Sequence, residues 1–295
     1  MRMSDQDERV LENASRGRRL RTSMYGLPVL LALVIATAVF SLHDGGPPPF
    51  RVVLDAGHGA DELGATGFGL VERDSNLDMA KRVGELLRRD GIEVIYTRTD
   101  DGRAFHDGRA LTDYSAIFAD LDTRIAIANE ARADLFISIH SNSFSDLNAR
   151  GVEVIYNPDR PFAERNRALA EAIRASVVAS LAEHGYEVAP GRTREDTSME
   201  DWAGRRTPYL VLGGEREMTR QEMDQRGGDW EALGYGTQAS VQTRATQMPG
   251  VIVELFYISN EADAALLKDD SVRHYLALGV AAGIKNALRA RAASQ

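Results

Sequence analysis

Leu135-Phe136-Ile137-Ser138-Ile139-His140 is a short, almost wholly apolar run that predicts a buried β-strand leading straight into a histidine. Comparable apolar runs stand at Arg51 to Leu54, Ile92 to Tyr96, Val152 to Tyr156 and Val251 to Val253. Strands that are apolar at successive positions are typical of parallel sheets, because both of their faces are covered. These runs therefore favour one sheet buried between two helical layers.

Helical patterns lie between the predicted strands. They run from about Asp74 to Arg89 and over residues 122–131, 163–183 and 271–290. This alternation predicts an α/β fold, in which a mostly parallel, twisted sheet carries helices on both faces. Ligands in such folds bind at the carboxyl ends of the strands, so polar side chains at those ends are candidates for a site.

Two stretches depart from the alternation. Residues 101–119 have the glycines and scattered polar residues of a loop. Residues 192–246 form a longer segment, rich in Arg, Glu, Gly and Gln, which we interpret as an insertion in a domain spanning 50–292. Within it, Tyr209 to Leu212 is an apolar island predicted to be a strand, and Glu215 to Trp230 has the weak spacing of a surface helix.

The N-terminus predicts where the protein resides. Residues 1–23 are polar and end in four closely spaced arginines, and residues 24–42 form an apolar run of the length that spans a bilayer. This pattern predicts a cytoplasmic tail, one transmembrane helix in the inner (cytoplasmic) membrane, a linker at 43–49, and a catalytic domain on the periplasmic side. A cleavable signal peptide is the alternative, since Ala36-Thr37-Ala38 resembles a cleavage site. Either interpretation exports the domain.

Composition limits the chemistry. The 295 residues carry a net charge of −9, which disfavours nucleic acid as the main partner. Cysteine is absent, which excludes disulfides, thiolate metal ligands and a cysteine nucleophile. No Gly-x-Ser-x-Gly elbow follows a strand, so a serine hydrolase of that type is disfavoured as well. A transition-metal site would have to use His, Asp, Glu and water.

Four side chains are candidates for such a site. His58 follows a strand in a Gly-His-Gly bend, and His140 ends another strand. Each could be an ordinary hydrogen-bonded residue, but both are predicted at one edge of one sheet. Glu72, in the predicted loop before the first helix, could simply be an exposed acid near a helix N-terminus. Glu254 is flanked by apolar residues, and its burial requires a partner, either in a salt bridge or at a metal.

Together these residues resemble the zinc-dependent N-acetylmuramoyl-L-alanine amidases. The resemblance is carried by Asp55-Ala56-Gly57-His58-Gly59 with Gly64 to Gly67 and Glu72, by Ala133 to Asn142 with Arg150 to Val154, and by Val253-Glu254-Leu255. These blocks occur in the family's order. The resemblance implies that His58, Glu72 and His140 bind one Zn²⁺ with water as the fourth ligand, and that Glu254 is the catalytic carboxylate. The reaction implied is hydrolysis of the amide between N-acetylmuramic acid and L-alanine in peptidoglycan.

The resemblance leaves alternatives open. A zinc peptidase acting on stem peptides would use the same ligand types, and a non-catalytic wall-binding regulator could share the fold. Ala56 and Phe256 stand where the family often has proline and glycine. Some relatives carry an inhibitory helix in the region of 192–246, which an activator protein displaces, so a protein activator is one expected partner. The alternative is that 192–246 is a surface loop without a regulatory role.

Overall fold

The structure is a computed structural model that describes residues 50–111, 113–198 and 207–293. The predicted tail, transmembrane anchor and linker (1–49) lie outside the described residues. Across the described ranges, we find no helix with the length and apolar character needed to cross a membrane.

The strands of the described chain are β1 (Arg51–Ala56), β2 (Thr66–Gly67), β3 (Leu70–Val71), β4 (Glu93–Tyr96), β5 (Leu135–Asn142), β6 (Val152–Tyr156), β7 (Arg192–Glu195), β8 (Glu217–Thr219), β9 (Ser240–Gln242) and β10 (Gly250–Tyr257). Six of them form the central sheet in the order β4-β1-β5-β10-β6-β7. Neighbouring strands are parallel except for the antiparallel pair β10 and β6. The prediction of a mostly parallel sheet is confirmed.

The helices are α1 (Glu72–Arg89), α2 (Asp113–Glu130), α3 (Ala163–Glu183), α4 (Arg220–Gln225), α5 (Glu261–Lys268) and α6 (Asp270–Ala292). Helices α1, α3 and α6 share one apolar layer on one face of the sheet. On the other face, Ile125 of α2 packs with Val53 and Phe136 of the sheet. Helices therefore cover both faces, as the sequence predicts.

Alternation along the strands separates the core from the site. In β5, Leu135, Ile137 and Ile139 face the layer of α1, α3 and α6, whereas Phe136 faces α2. His140 shares the face of Phe136, because side chains alternate with a period of two. The same rule places Glu254 of β10 on this face. The α2 face is thus apolar at its centre and polar at the carboxyl end of the strands.

Helix boundaries near the site differ from the prediction. The sequence predicts a helix that starts at about Asp74, but α1 begins at Glu72, and Val71 at its N-cap makes no side-chain hydrogen bond. Glu72 is therefore the first residue of a helix instead of a loop residue. Helix α2 begins at Asp113, so the predicted loop at 101–119 is wrong in its last part. Its first turns bury Phe118 against residues more than ninety positions away, which local spacing does not reveal.

The segment 192–246 is also organised differently from the prediction. Its first residues form β7, an edge strand of the central sheet. Residues Tyr209 to Leu212 form a turn, closed by hydrogen bonds from the Leu212 and Gly213 amides to the Tyr209 carbonyl. The island is apolar because Val211 and Leu212 pack onto the sheet. Residues 215–230 contain only β8 and the short α4.

Candidate metal centre and active-site cleft

The three predicted metal ligands lie together. His58 follows β1, Glu72 opens α1, and His140 stands near the end of β5. His58 Nε2 and His140 Nδ1 each lie 3.0 Å from Glu72 Oε1. One donor atom from each residue falls within 4.8 Å of the other two. Three residues separated by 14, 68 and 82 positions in sequence therefore converge on one point.

A second carboxylate, which sequence reasoning missed, supports His58. Glu62 Oε1 lies 3.1 Å from His58 Nδ1, the ring nitrogen that faces away from Glu72. Carboxylates placed in this way fix the ring orientation and tautomer of a metal-binding histidine. The available signal was an acidic residue four positions after His58, within the same glycine-rich loop. On the opposite side, the Ala65 amide donates to Glu72 Oε2 at 2.8 Å.

Two glycines permit this close packing. A Cβ added at Gly57 would lie 2.2 Å from the imidazole of His140. At Gly64, where φ is +66°, it would lie 2.5 Å from Glu72 Oε2 and 2.6 Å from the ring of His58. Any larger residue at these positions has to displace a candidate ligand. His58 itself has a φ of 65°, a strained conformation for a non-glycine residue that is often found at functional sites.

A buried ionic network lies beneath the His58 loop. Arg124 is almost fully buried, contacts Asp55 Oδ1 at 2.7 Å, and donates from Nη2 to the His58 carbonyl at 2.6 Å. Asp120 pairs with the same guanidinium at 2.7 Å. Burial opposes charge on Arg124, but its two carboxylate partners outweigh burial and raise its pKa above the ordinary value. The network holds the loop through its backbone.

Glu254 lies on the strand next to His140. The two residues are register partners between β10 and β5. Glu254 Oε2 is buried and has no hydrogen-bond partner among the described residues. Directly beyond Glu254, β10 is irregular, and Phe256 takes a φ of 65°. That is the position where the family often has glycine, and glycine adopts such a conformation without strain.

The protonation of these groups follows from their contacts. Burial would lower the pKa of His58, but Glu62 and Glu72 outweigh it and raise the pKa to about 9. Burial would raise the pKa of Glu72, yet His140 and His58 hold it far below its usual range. Burial raises the pKa of Glu254 to about 7, with His140 opposing the shift and Glu72 adding to it. The site thus concentrates ionised donors beside one carboxylate that titrates near neutrality.

The donor set fits a zinc ion. Two imidazoles and one carboxylate are a usual ligand set for hydrolytic zinc, and three protein ligands leave one coordination position open. Glu72 Oε1 faces a nitrogen of both histidines at hydrogen-bond distance, so each contact contains a proton that a bound cation would replace. Glu254 Oε2 has no hydrogen-bond partner among the described residues, so it is available to accept or donate a proton.

A cleft of about 1000 Å³ opens over these residues. His58, Glu72, His140 and Glu254 all line it. Its remaining wall includes residues from β6, from β7 and from the turn at 209–211. Three other histidines, at positions 106, 184 and 274, are exposed and lie outside the cleft. These three are surface residues, and His43 lies outside the described residues.

Comparisons with known proteins identify a family. A protein-family profile described as N-acetylmuramoyl-L-alanine amidase matches residues 52–286. Uncharacterized protein YqiI of Bacillus subtilis (strain 168) is 28% identical over 233 residues, covering 79% of this chain and 82% of that protein. N-acetylmuramoyl-L-alanine amidase LytC of the same organism is 29% identical over 217 residues, which cover 74% of this chain but only 31% of LytC.

Solved structures share the fold. The CwlD amidase from Clostridioides difficile, solved in complex with the GerS lipoprotein, superposes with a TM-score of 0.58 at 22% identity. The superposition covers 82% of this chain and 99% of that one. At this level of identity the likeness concerns the fold alone.

Proposed function

The chain belongs to the N-acetylmuramoyl-L-alanine amidase family, and we propose that it uses one Zn²⁺ to hydrolyse the amide joining N-acetylmuramic acid to L-alanine in peptidoglycan. The observation that carries this proposal is the convergence of His58, Glu72 and His140 beside the unpaired carboxylate of Glu254.

His58, Glu72 and His140 would hold the ion. When bound, Zn²⁺ lowers the pKa of a water to about 7 and polarises a carbonyl oxygen. Glu62 keeps the ring of His58 turned toward Glu72, and Arg124 keeps the backbone of His58 in place. These contacts preorganise the ligands, so little rearrangement is needed when the ion binds.

Glu254 would carry the proton. In its ionised form, Oε2 accepts a proton from the attacking water, and it then returns that proton to the leaving nitrogen of L-alanine. A carboxylate with a raised pKa is suited to both steps, because it is a stronger base than an exposed glutamate and is still an acid near neutrality. General acid–base catalysis of this kind is typically worth about 10²- to 10⁴-fold in rate.

The test is digestion of purified peptidoglycan followed by identification of the products by mass. We expect free peptides that begin with L-alanine, loss of activity on chelation, and recovery with Zn²⁺. Peptides cleaved internally would instead indicate a zinc peptidase. Absence of products from a protein that binds zinc would indicate a wall-binding regulator.

Variants assign the roles. Glu254→Gln should keep the metal and lose at least about 100-fold in turnover, because the amide cannot accept the proton. His58→Ala and His140→Ala should lose the metal instead. Full turnover in Glu254→Gln would remove its assigned role, and unchanged metal content in both histidine variants would remove theirs.

Localisation rests on the sequence alone. The apolar run at 24–42, preceded by arginines, would anchor the chain in the cytoplasmic membrane with residues 50–292 on the periplasmic side. Protease treatment of intact spheroplasts tests this arrangement. We expect degradation of the domain and retention of a short membrane-bound fragment. Release of the whole domain without protease would favour a cleaved signal peptide.

A protein activator would act through the segment 192–246. The complex of CwlD with a lipoprotein supports such a partner, and Tyr209 of this segment lines the cleft. Trp230 is buried and helps to pack the segment against Phe118 of α2. If the segment restrains the site, Trp230→Ala should raise basal activity. A folded Trp230→Ala protein with unchanged activity would count against autoinhibition.

A further inference from the structure

A row of polar side chains crosses four strands of the sheet at the cleft. Glu254 is the register partner of His140 on one side and of Glu153 on the other. Glu153 is in turn the register partner of Arg192 on β7. The row therefore leads from a candidate metal ligand, through the candidate proton carrier, to a pair of groups with no role in the reaction described above.

Arg192 forms an ion pair with Glu153. The carboxylate is buried, with 2% of its side chain exposed, and Arg192 donates to both of its oxygens, at 3.0 and 3.2 Å. Arg192 also contacts the hydroxyl of Tyr257 at 3.2 Å, and Asn142 donates to the same carboxylate. This bidentate pair accounts for one positive and one negative charge.

Arg194 adds a second positive charge without a second carboxylate. It lies two residues along β7, on the same face, and makes a single contact of 3.3 Å from Nη1 to Glu153 Oε1. Its side chain is 38% exposed, and it lines the cleft. Among the described residues, its other guanidinium nitrogens have no hydrogen-bond partner. Two guanidiniums facing one carboxylate leave one positive charge directed at the cleft.

The position of Arg194 fixes the part of the substrate that it can reach. If Glu254 protonates the leaving nitrogen, the peptide begins beside β10. Arg194 pairs with Ile155 of β6, one side-chain row away from Glu153 and Glu254, and β7 lies two strand spacings from β10, so the Arg194 backbone is about 12 Å from that of Glu254. An extended residue spans about 3.5 Å, and an arginine side chain covers the remaining distance. The group near Arg194 therefore belongs to the residue that follows L-alanine.

We propose that Arg194, oriented by Glu153, binds a carboxylate on the residue after L-alanine and makes the enzyme selective for stem peptides in which that carboxylate is free. The inference rests on the proposed amidase function and adds a specificity determinant to it. A guanidinium suits this role because its N–H groups match the geometry of a carboxylate.

The experiment uses two soluble muropeptides that differ at one group. In one, the α-carboxyl of the residue after L-alanine is a free carboxylate, and in the other it is a carboxamide. The ratio of kcat/KM for acid over amide is measured with the zinc-loaded full-length protein. We expect a wild-type ratio of about 10, the usual effect of a partly exposed hydrogen bond to a charged group. Arg194→Gln should bring the ratio close to one.

Control variants separate recognition from damage. Arg194→Lys keeps the positive charge but lacks the paired N–H donors of a guanidinium, so it should give an intermediate ratio. Arg167→Gln removes an arginine that pairs with two glutamates on the exposed side of α3, and it should keep the wild-type ratio. The zinc content of each variant shows whether the metal centre is intact.

The outcomes distinguish the two proposals. A wild type that hydrolyses neither muropeptide overturns the amidase function and the inference with it. A wild type that hydrolyses both at the same rate overturns the inference alone. A folded Arg194→Gln protein that retains the full wild-type ratio also overturns the inference. If Arg194→Gln does not fold, an Arg194→Lys protein with the full wild-type ratio overturns it instead.

Discussion

Replacement of Gly57 by alanine should abolish tight zinc binding while the fold survives. The new Cβ would lie 2.2 Å from two atoms of the His140 ring, whereas ordinary contacts begin at 3.4 Å. The ring must therefore retreat by about 1.2 Å. Metal–ligand distances tolerate only about 0.2 Å, so His140 can no longer reach the ion together with His58 and Glu72.

The expected magnitudes separate metal binding from folding. Disturbing the shell around a metal ligand usually costs about 10- to 100-fold in affinity, and we expect the upper end because a ligand itself is displaced. Overpacking of this kind costs about 1–3 kcal/mol of unfolding free energy, which a folded domain of this size can tolerate. Competition with a chromogenic chelator measures the zinc affinity, and thermal unfolding of the metal-free protein measures stability.

Gly214→Ala is the matched control. Its added Cβ has no neighbour within 4 Å in the described structure, so both zinc affinity and stability should stay at wild-type values. A folded Gly57→Ala protein with wild-type zinc affinity would refute the reasoning, because it would show that His140 can move freely or does not bind the metal.

Three further predictions concern charge. Zinc affinity should rise with pH up to about 9, because Zn²⁺ competes with a proton that His58 binds below that pH and loses above it. Calorimetry in buffers of different ionisation enthalpy measures the proton released. Glu153→Gln should move the acidic limb of the kcat profile to lower pH, since the charge of Glu153 helps to raise the pKa of Glu254. Arg124→Ala should reduce the free energy of unfolding by about 3–5 kcal/mol, as expected when one partner of a buried pair is removed, whereas Arg167→Ala should change it by less than about 0.5 kcal/mol in denaturant titrations.

Each of these has a clear contrary result. A zinc affinity that is flat across this pH range would mean that His58 is not a ligand. An acidic limb that moves to higher pH in Glu153→Gln would contradict the sign of the electrostatic coupling. Equal stability losses in the two arginine variants would show that the ionic network under the His58 loop stabilises the fold no more than an exposed ion pair does.

The sequence was sufficient for the parts of the site that stand at the ends of apolar strands. His140 and Glu254 follow runs that are buried on both sides, so their position at a shared sheet edge could be predicted from neighbouring residues. The helices on both faces followed from the same alternation. The resemblance to a family then assigned the roles, which local patterns alone left open.

The parts that were missed depend on contacts between distant residues. Strand β7 is a polar edge strand, so Arg192 and Arg194 carry no apolar signal and become visible only through their pairing with Glu153. The start of α2 brings Phe118 into one buried cluster with Met218, a hundred residues away. Glu62 is an ordinary acidic loop residue until the loop folds back on His58.

Anomalous X-ray diffraction at the zinc edge, from crystals of the protein grown with stoichiometric zinc, would locate the ion directly. We expect one strong peak per chain, within bonding distance of His58, Glu72 and His140 and next to the carboxylate of Glu254. A peak bound by other residues, or no peak among these three side chains, would contradict the proposed metal centre and the amidase mechanism built on it.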